Sequence, residues 1–146
     1  MAGEYDIDFR ENPEAYRYSP DEKGVFKVEP YKSELLPLWR YRDEEAALTS
    51  SQAIRKKYEQ YRDAEDFVGM DMARKYLQMG FTRAMRYAKY RGGRKYDSDG
   101  EVREAQTWAD PDKRKAAIVF RDQWERVRED PEYQRLKDAH QNKKES

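Results

Sequence analysis

The sequence lacks cysteine and has a single histidine among its 146 residues. Without cysteine there is no disulfide framework, no thiolate zinc site and no thiol nucleophile, and a reducing, cytoplasmic location is compatible with this composition. The histidine, His140, lies close to the C-terminus, so we interpret it as a packing or solvated side chain and not as a catalytic base. We expect no metal, no cofactor and no catalytic residue, which favours a non-enzymatic role.

Long hydrophobic runs are also missing. The longest stretch without a charged residue runs from Ala46 to Ile54, far short of the roughly 20 apolar residues that cross a membrane as a helix. The N-terminal residues include Glu4, Asp6 and Asp8 and have neither the basic nor the apolar region of a secretory signal. We therefore expect a cytoplasmic protein that does not associate with membranes.

The charge of the chain is balanced overall but not locally. Charged residues make up 41% of the chain and hydrophobic residues 37%, so the core must be thin, although the 14% of aromatic residues argues against disorder. The formal net charge is zero, yet residues 1–45 carry −5, residues 46–97 carry +6 and residues 98–146 carry −1. A basic middle thus lies between acidic flanks.

The N-terminal third of the chain is predicted to contain a small β-hairpin. Residues 1–45 hold four of the six prolines, which disfavours long helices because an interior proline costs about 3 kcal/mol. An alternating pattern at Tyr16–Tyr18 and an extended pattern at Val25–Val28 enclose the turn-forming segment Ser19–Gly24, which is typical of a hairpin that packs on a larger body.

Helical periodicity dominates the rest of the chain. Thr49 and Ser50 are predicted to cap one helix, and Asp110 and Asp130 to cap two more, since each of these aspartates precedes a proline. Small and apolar residues recur at helical spacing from Gly69 to Ala88, where two glycines indicate the close approach of another backbone.

The expected fold is α+β but mainly α, with about four helices and the small N-terminal β-hairpin. We expect one domain over residues 1–140. Within it, residues 1–45 form the hairpin and a short turn, residues 46–96 form a helical basic core, and residues 97–140 contain the two Asp-Pro-initiated helices. A disordered tail is expected at residues 141–146.

The strongest functional signal is a basic window without acids. From Met72 to Lys95 the sequence contains eight Lys and Arg residues and no Asp or Glu. Helical spacing places Lys75, Arg86 and Lys89 on the face opposite the apolar one, together with Asp71, and a Gly-Gly pair then leads into a basic loop. Spaced cations bind phosphates, and nearby tyrosines stack on bases. We predict a nucleic-acid-binding accessory protein, and the sequence leaves open whether it binds DNA or RNA and single or double strands. The residues predicted to contact the nucleic acid are Lys75, Arg83, Arg86, Lys89, Arg91, Arg94, Lys95, Tyr90 and Tyr96.

Three other interpretations stay open. The same cations pair with the acidic N-terminal third in the simplest of them. In the second, the protein is an adaptor or self-associating module that binds acidic partners through Met72, Met79 and Tyr90. In the third, it is a small-molecule enzyme whose general base is Asp71, with Arg74 and either Tyr31 or Lys32 nearby; the competing role for Asp71 is an ordinary i,i+4 pair with Lys75.

Two stretches resemble a known family. Residues 69–84, GMDMARKYLQMGFTRA, and residues 29–39, EPYKSELLPLW, are similar to signatures of a family of short proteins of unknown function from bacteria, fungi and tailed phages. The resemblance runs from about Tyr16 to Tyr96 and favours a single domain. It implies no activity and no catalytic residue.

Overall fold

The fold, described here from a computed structural model over residues 7–104 and 109–145, is all-helical. The described residues form five α-helices, joined in places by single turns of 3-10 helix at Pro13–Ala15, Leu36–Leu38 and Arg91–Gly93. The α-helices are α1 (Tyr31–Leu35), α2 (Glu44–Asp63), α3 (Phe67–Lys89), α4 (Pro111–Glu129) and α5 (Pro131–Glu145). α3 is the central helix and packs against the other four.

The predicted β-hairpin, and with it the α+β class, is wrong. The β contacts within residues 7–104 and 109–145 are two isolated bridges, Asp8 with Glu29 and Tyr96 with Val102, and no strand forms there. Gly24 has a φ of 92°, and its carbonyl accepts a hydrogen bond from the Val28 N–H at 2.9 Å, so this segment is a tight turn. Val25 and Val28 are both buried and lie three residues apart, which is the spacing of a helical turn and not the two-residue repeat of a strand.

Aspartate side chains start the long helices. Asp43 accepts a hydrogen bond from the Ala46 N–H, so α2 begins at Glu44, before the predicted caps at Thr49 and Ser50. An aspartate at this position satisfies a free N–H group and its charge complements the helix dipole. α4 and α5 begin at Pro111 and Pro131, directly after the two aspartates that the sequence indicates. α5 continues to Glu145, through residues predicted to form a disordered tail.

Burial along α3 changes abruptly at its middle. Every residue from Phe67 to Leu77 is buried, whereas beyond Phe81 only Ala84 and Ala88 are. The N-terminal segment covers the first half of the helix, because the carbonyl groups of Ser19 and Lys23 accept hydrogen bonds from its side chains. We expected one face of α3 to be exposed to solvent along the whole helix, but the first half has no exposed face.

The two glycines of α3 make room for aromatic rings. A Cβ atom added to Gly69 would overlap the ring of Tyr61 on α2, and one added to Gly80 would overlap the ring of Phe120 on α4. Phe120 is fully buried. The close approach that the glycines indicate is therefore real, but the neighbour is a side-chain ring and not a backbone.

Candidate nucleic-acid interface

The cations of α3 fall into a buried and an exposed group. Arg74 and Lys75 in the first half are 2% and 1% exposed. Arg83, Arg86 and Lys89 in the second half are exposed. The predicted outward position is therefore right for Arg86 and Lys89 and wrong for Lys75.

Lys75 holds the N-terminal segment. Its Nζ donates hydrogen bonds to the Lys23 carbonyl at 2.7 Å and to the Ser19 hydroxyl at 3.1 Å, and it lies 5.2 Å from the centre of the Tyr16 ring. Burial lowers the pKa of this ammonium group, against the attraction of Asp71. A side chain enclosed in this way does not reach a phosphate.

Asp71 and Arg74 form a buried ion pair. The Arg74 Nη2 and Nε donate to Asp71 Oδ1 at 2.8 and 3.0 Å, and the Tyr133 hydroxyl donates to the same oxygen at 2.6 Å. The other carboxylate oxygen accepts from the Tyr16 hydroxyl. Burial opposes the positive charge of Arg74, but the Asp71 carboxylate keeps the pKa of the guanidinium above its usual value. The predicted outward position of Asp71 is wrong as well, because the residue is fully buried.

The same guanidinium fastens the segment before α1 to α3. Arg74 donates to the carbonyl groups of Ser19 at 2.7 Å, Asp21 at 3.0 Å and Pro20 at 3.2 Å. It also donates to the Gln78 side chain at 2.6 Å. The partners supplied by the N-terminal segment are thus backbone carbonyls, not its acidic side chains.

Most residues of the adaptor and enzyme interpretations are buried inside the fold. Met72 and Met79 are 0% and 2% exposed, so they belong to the core. The Tyr31 hydroxyl donates to both oxygens of Asp66, at 2.8 and 2.7 Å, and the Asp71–Arg74 pair is bonded to other tyrosines. The enzyme hypothesis placed Asp71 and Arg74 near Tyr31 or Lys32. In the structure Tyr31 and Asp71 are hydrogen-bonded to different partners.

His140 has a packing role. Its ring lies 5.2 Å from the Phe67 ring and 5.9 Å from the Tyr16 ring, and its Nε2 is 2.7 Å from the Tyr16 carbonyl. The histidine thus helps α5 to cover the start of α3.

The exposed cations of α3 are available to a partner. Among residues 7–104 and 109–145, the side chains of Arg86 and Lys89 have no hydrogen-bond or ion-pair partner. Arg83 lies near the carboxylate of Glu22, whose pKa is raised by burial in spite of that positive charge. Arg83 is therefore the edge of the exposed group, and Arg86 and Lys89 are its centre.

The loop after α3 adds further cations. Gly92 and Gly93 have φ values of 64° and 72°, the left-handed region that glycine adopts without strain, and they turn the chain away from the helix axis. Arg94 is exposed and Lys95 half-buried; the Lys95 ammonium lies 5.9 Å from the centre of the Tyr96 ring, which is 52% exposed. The loop is closed by a hydrogen bond from the Arg103 N–H to the Lys95 carbonyl at 2.7 Å.

Two of the residues predicted to bind nucleic acid, Tyr90 and Arg91, follow the last residue of α3. Tyr90 is half-buried at the end of α3. The side chain of Arg91 lies outside the described residues. We call the remaining cations, which reach solvent along the second half of α3 and the loop, the basic surface, and its members are Arg83, Arg86, Lys89, Arg94 and Lys95.

One exposed aromatic residue was missed. Tyr87 is 36% exposed and follows Arg83 by one helical turn, so it lies on the same face of α3. Its position inside the acid-free window was a usable signal. Its neighbours from other segments, Tyr41 and Lys113, are 46 and 26 residues away along the chain, and no local pattern predicts that contact.

Two further features bear on function. The described residues contain no group of three or more side chains placed to hold a metal ion. None of the described helices is both long and apolar enough to cross a membrane.

Comparison with known proteins confirms the family resemblance. The chain belongs to the family described as Domain of unknown function (DUF4385), whose model matches residues 2–143. No curated protein and no solved structure matches the chain.

Proposed function

We propose that this member of the DUF4385 family is a non-enzymatic, cytoplasmic accessory protein that binds nucleic acid through its basic surface. The observation that carries the proposal is the contrast within α3. Arg74 and Lys75 are satisfied inside the fold, whereas Arg86 and Lys89 face solvent and have no partner among the described residues. A cation without an internal partner neutralises a phosphate without first breaking a bond.

The spacing of these cations suits a phosphate backbone. Arg83 and Arg86 are three residues apart and Arg83 and Lys89 six, which corresponds to rises of about 4.5 and 9 Å along the helix. Phosphates follow one another every ~3.4 Å of axis along each strand of a duplex. Several phosphates therefore lie within reach of α3, and Arg94 and Lys95 extend the contact past its end.

Charge reversal tests the proposal. The variant Arg86→Glu/Lys89→Glu/Arg94→Glu should lose binding to labelled DNA and RNA oligonucleotides while its far-UV circular dichroism stays helical, because exposed changes usually cost within about 0.5 kcal/mol each. The matched control, Arg17→Glu/Lys56→Glu/Arg126→Glu, makes the same charge change at exposed positions elsewhere and should keep most of the affinity.

Salt dependence provides the second readout. Each neutralised phosphate contributes a slope of about −0.9 in log K against log salt on duplex DNA and about −0.7 on single strands. A surface that engages four or five phosphates should lose roughly two orders of magnitude in affinity between about 50 and 200 mM salt. If the unmodified protein binds neither DNA nor RNA at the lower salt concentration, the proposal is wrong. The remaining hypothesis is then that the basic surface binds an acidic protein partner.

A further inference from the structure

A groove lined by aromatic rings and cations lies next to the basic surface. Its walls are Trp39, Arg40, Tyr41, Arg42, Tyr87 and Lys113. The rings form a row, with 4.8 Å between the centres of Trp39 and Tyr41 and 6.3 Å between those of Tyr41 and Tyr87. The row combines the segment before α2 with α3, and Lys113 of α4 completes it.

The groove is built before any ligand arrives. The Trp39 Nε1 donates to the Tyr76 carbonyl at 3.1 Å, which fixes the indole at the base of the row. Gly93 packs so closely on Tyr87 that an added Cβ would lie 2.8 Å from the ring. Rings held in this way lose little conformational freedom when a ligand binds, which favours affinity.

Positive charge surrounds the rings. The Lys113 Nζ lies 4.9 Å from the Tyr41 ring centre and 5.4 Å from that of Tyr87, and it donates to the Tyr41 carbonyl at 3.1 Å. Burial lowers the pKa of Lys113, against the attraction of Asp110. Arg40 and Arg42 are exposed at the rim, and the pair of Arg42 with Asp43, at 3.2 Å, is too exposed to neutralise much of that charge.

The groove adjoins the basic surface at Arg83. Tyr87 follows Arg83 by one helical turn on the same face of α3, whereas Arg86 and Lys89 point to other sides of the helix. A polyanion bound at Arg83 and at the cations of the groove therefore passes over the aromatic row. A ligand that gains from both features must carry phosphates at regular spacing and also flat groups free to stack.

We propose that the groove receives an unpaired base and that the preferred ligand is single-stranded nucleic acid; this inference rests on the proposed function. Bases in a duplex are stacked on each other and offer no free face to a tyrosine, whereas single strands combine a backbone contact with base–aromatic stacking. The basic surface alone would bind single strands and duplexes, so the preference for single strands comes from the groove.

Affinity measurements distinguish nucleic-acid binding by the basic surface from stacking of a base in the groove. Fluorescence anisotropy with oligo-dT, oligo-U and a duplex of equal length, about 20 nucleotides, at about 50 mM salt should show tighter binding of a single strand than of the duplex. Tyr87→Ala should weaken single-strand binding roughly 5- to 150-fold, the equivalent of about 1–3 kcal/mol for one stacked base, and leave duplex binding unchanged. Tyr87→Phe should keep the affinity, and Phe26→Ala, at another exposed ring, should change nothing.

The groove also contains its own reporter. The chain has three tryptophans, so Trp108→Phe/Trp124→Phe leaves Trp39 as the only one, and its fluorescence should be quenched when oligo-dT or oligo-U is added. This readout does not depend on whether Tyr87→Ala folds.

Each outcome decides a statement. Equal affinity for single strands and duplex, with no effect of Tyr87→Ala and no quenching of Trp39, overturns the stacking inference while the proposed function stands on the charge-reversal result. Failure of the unmodified protein to bind any oligonucleotide overturns both. Quenching by poly-glutamate with no response to oligonucleotides also overturns the inference and identifies an acidic peptide as the ligand class.

Discussion

Replacing Asp71 by alanine should destabilise the protein by about 3–5 kcal/mol, the cost of removing one partner of a buried ion pair. The Asp71 carboxylate is fully buried and accepts hydrogen bonds from Arg74, Tyr133 and Tyr16. Without it, the buried guanidinium has no counter-charge and two hydroxyl groups lose their acceptor. Since natural domains have about 5–15 kcal/mol of stability in total, the loss should be plain in any unfolding measurement.

The assay is urea unfolding followed by far-UV circular dichroism. The midpoint should fall while the m-value stays the same, and a thermal scan should show a decrease of roughly 6–20 °C, at about 2–4 °C for each kcal/mol in a chain of this size. Asp122→Ala, which removes an exposed acid on α4, is the control and should stay within about 0.5 kcal/mol. A loss below about 1 kcal/mol for Asp71→Ala would refute a buried, fully bonded carboxylate.

A double-mutant cycle ties the loss to the network itself. Tyr16→Phe removes one hydroxyl that donates to Asp71. The same change in the Asp71→Ala background should cost clearly less, with a coupling of about 0.5–3 kcal/mol, because the acceptor is already gone. Additive effects would show that the two side chains do not interact.

Two further predictions concern packing and pH. Gly80→Ala should destabilise the protein, because overpacking against the Phe120 ring costs about 1–3 kcal/mol and exceeds the gain in helix propensity of about 1 kcal/mol; Phe120→Leu in the same chain should relieve part of the cost, as read by urea unfolding. Burial, and next the charge of Asp71, raise the pKa of Tyr16 and of Tyr133. Their contribution to stability is complete below pH ~10, the ordinary tyrosine value, and should fall above it by roughly 1 kcal/mol per pH unit for each ring, because only the unfolded chain ionises there. Tyrosinate absorbance of the folded protein should then stay incomplete until unfolding, and full ionisation of all twelve tyrosines near pH ~10 without unfolding would contradict the assignment.

Local signals predicted the starts of α4 and α5, although not that of α2. Asp110 and Asp130, each followed by proline, lie directly before α4 and α5. Such caps act through atoms within three residues of each other, so they are readable from sequence. The hairpin prediction was wrong because Val25 and Val28 follow the three-residue spacing of a helical turn, and Gly24 begins a tight turn there with its positive φ.

The orientation of side chains on α3 was only half predictable. Periodicity correctly placed Arg86 and Lys89 in solvent. It failed at Asp71 and Lys75, because the face they share is covered by the segment that contains Ser19 and Lys23, more than 50 residues away in sequence. Helical spacing tells which residues share a face, but not what covers that face.

The charge segregation seen in the sequence survives folding, and this supports the basic surface as a binding site. Two of the N-terminal acids have partners outside α3: Glu34 bonds to Arg10 at 2.8 Å and to the Tyr61 hydroxyl at 2.7 Å, and Glu29 bonds to Ser33. Arg74 donates hydrogen bonds to backbone carbonyls of the N-terminal segment and not to the carboxylates of that segment. One interpretation of the sequence was that the acidic N-terminal third neutralises the cations of the basic window. This does not hold for Arg86 and Lys89, whose side chains have no acidic partner in the described ranges. At physiological salt the field of exposed charges is screened over about 8 Å. The attraction between the basic surface and a ligand therefore acts mainly at contact distance. A formally neutral chain thus presents a local polycation, which supports the proposal that a polyanion such as nucleic acid binds there.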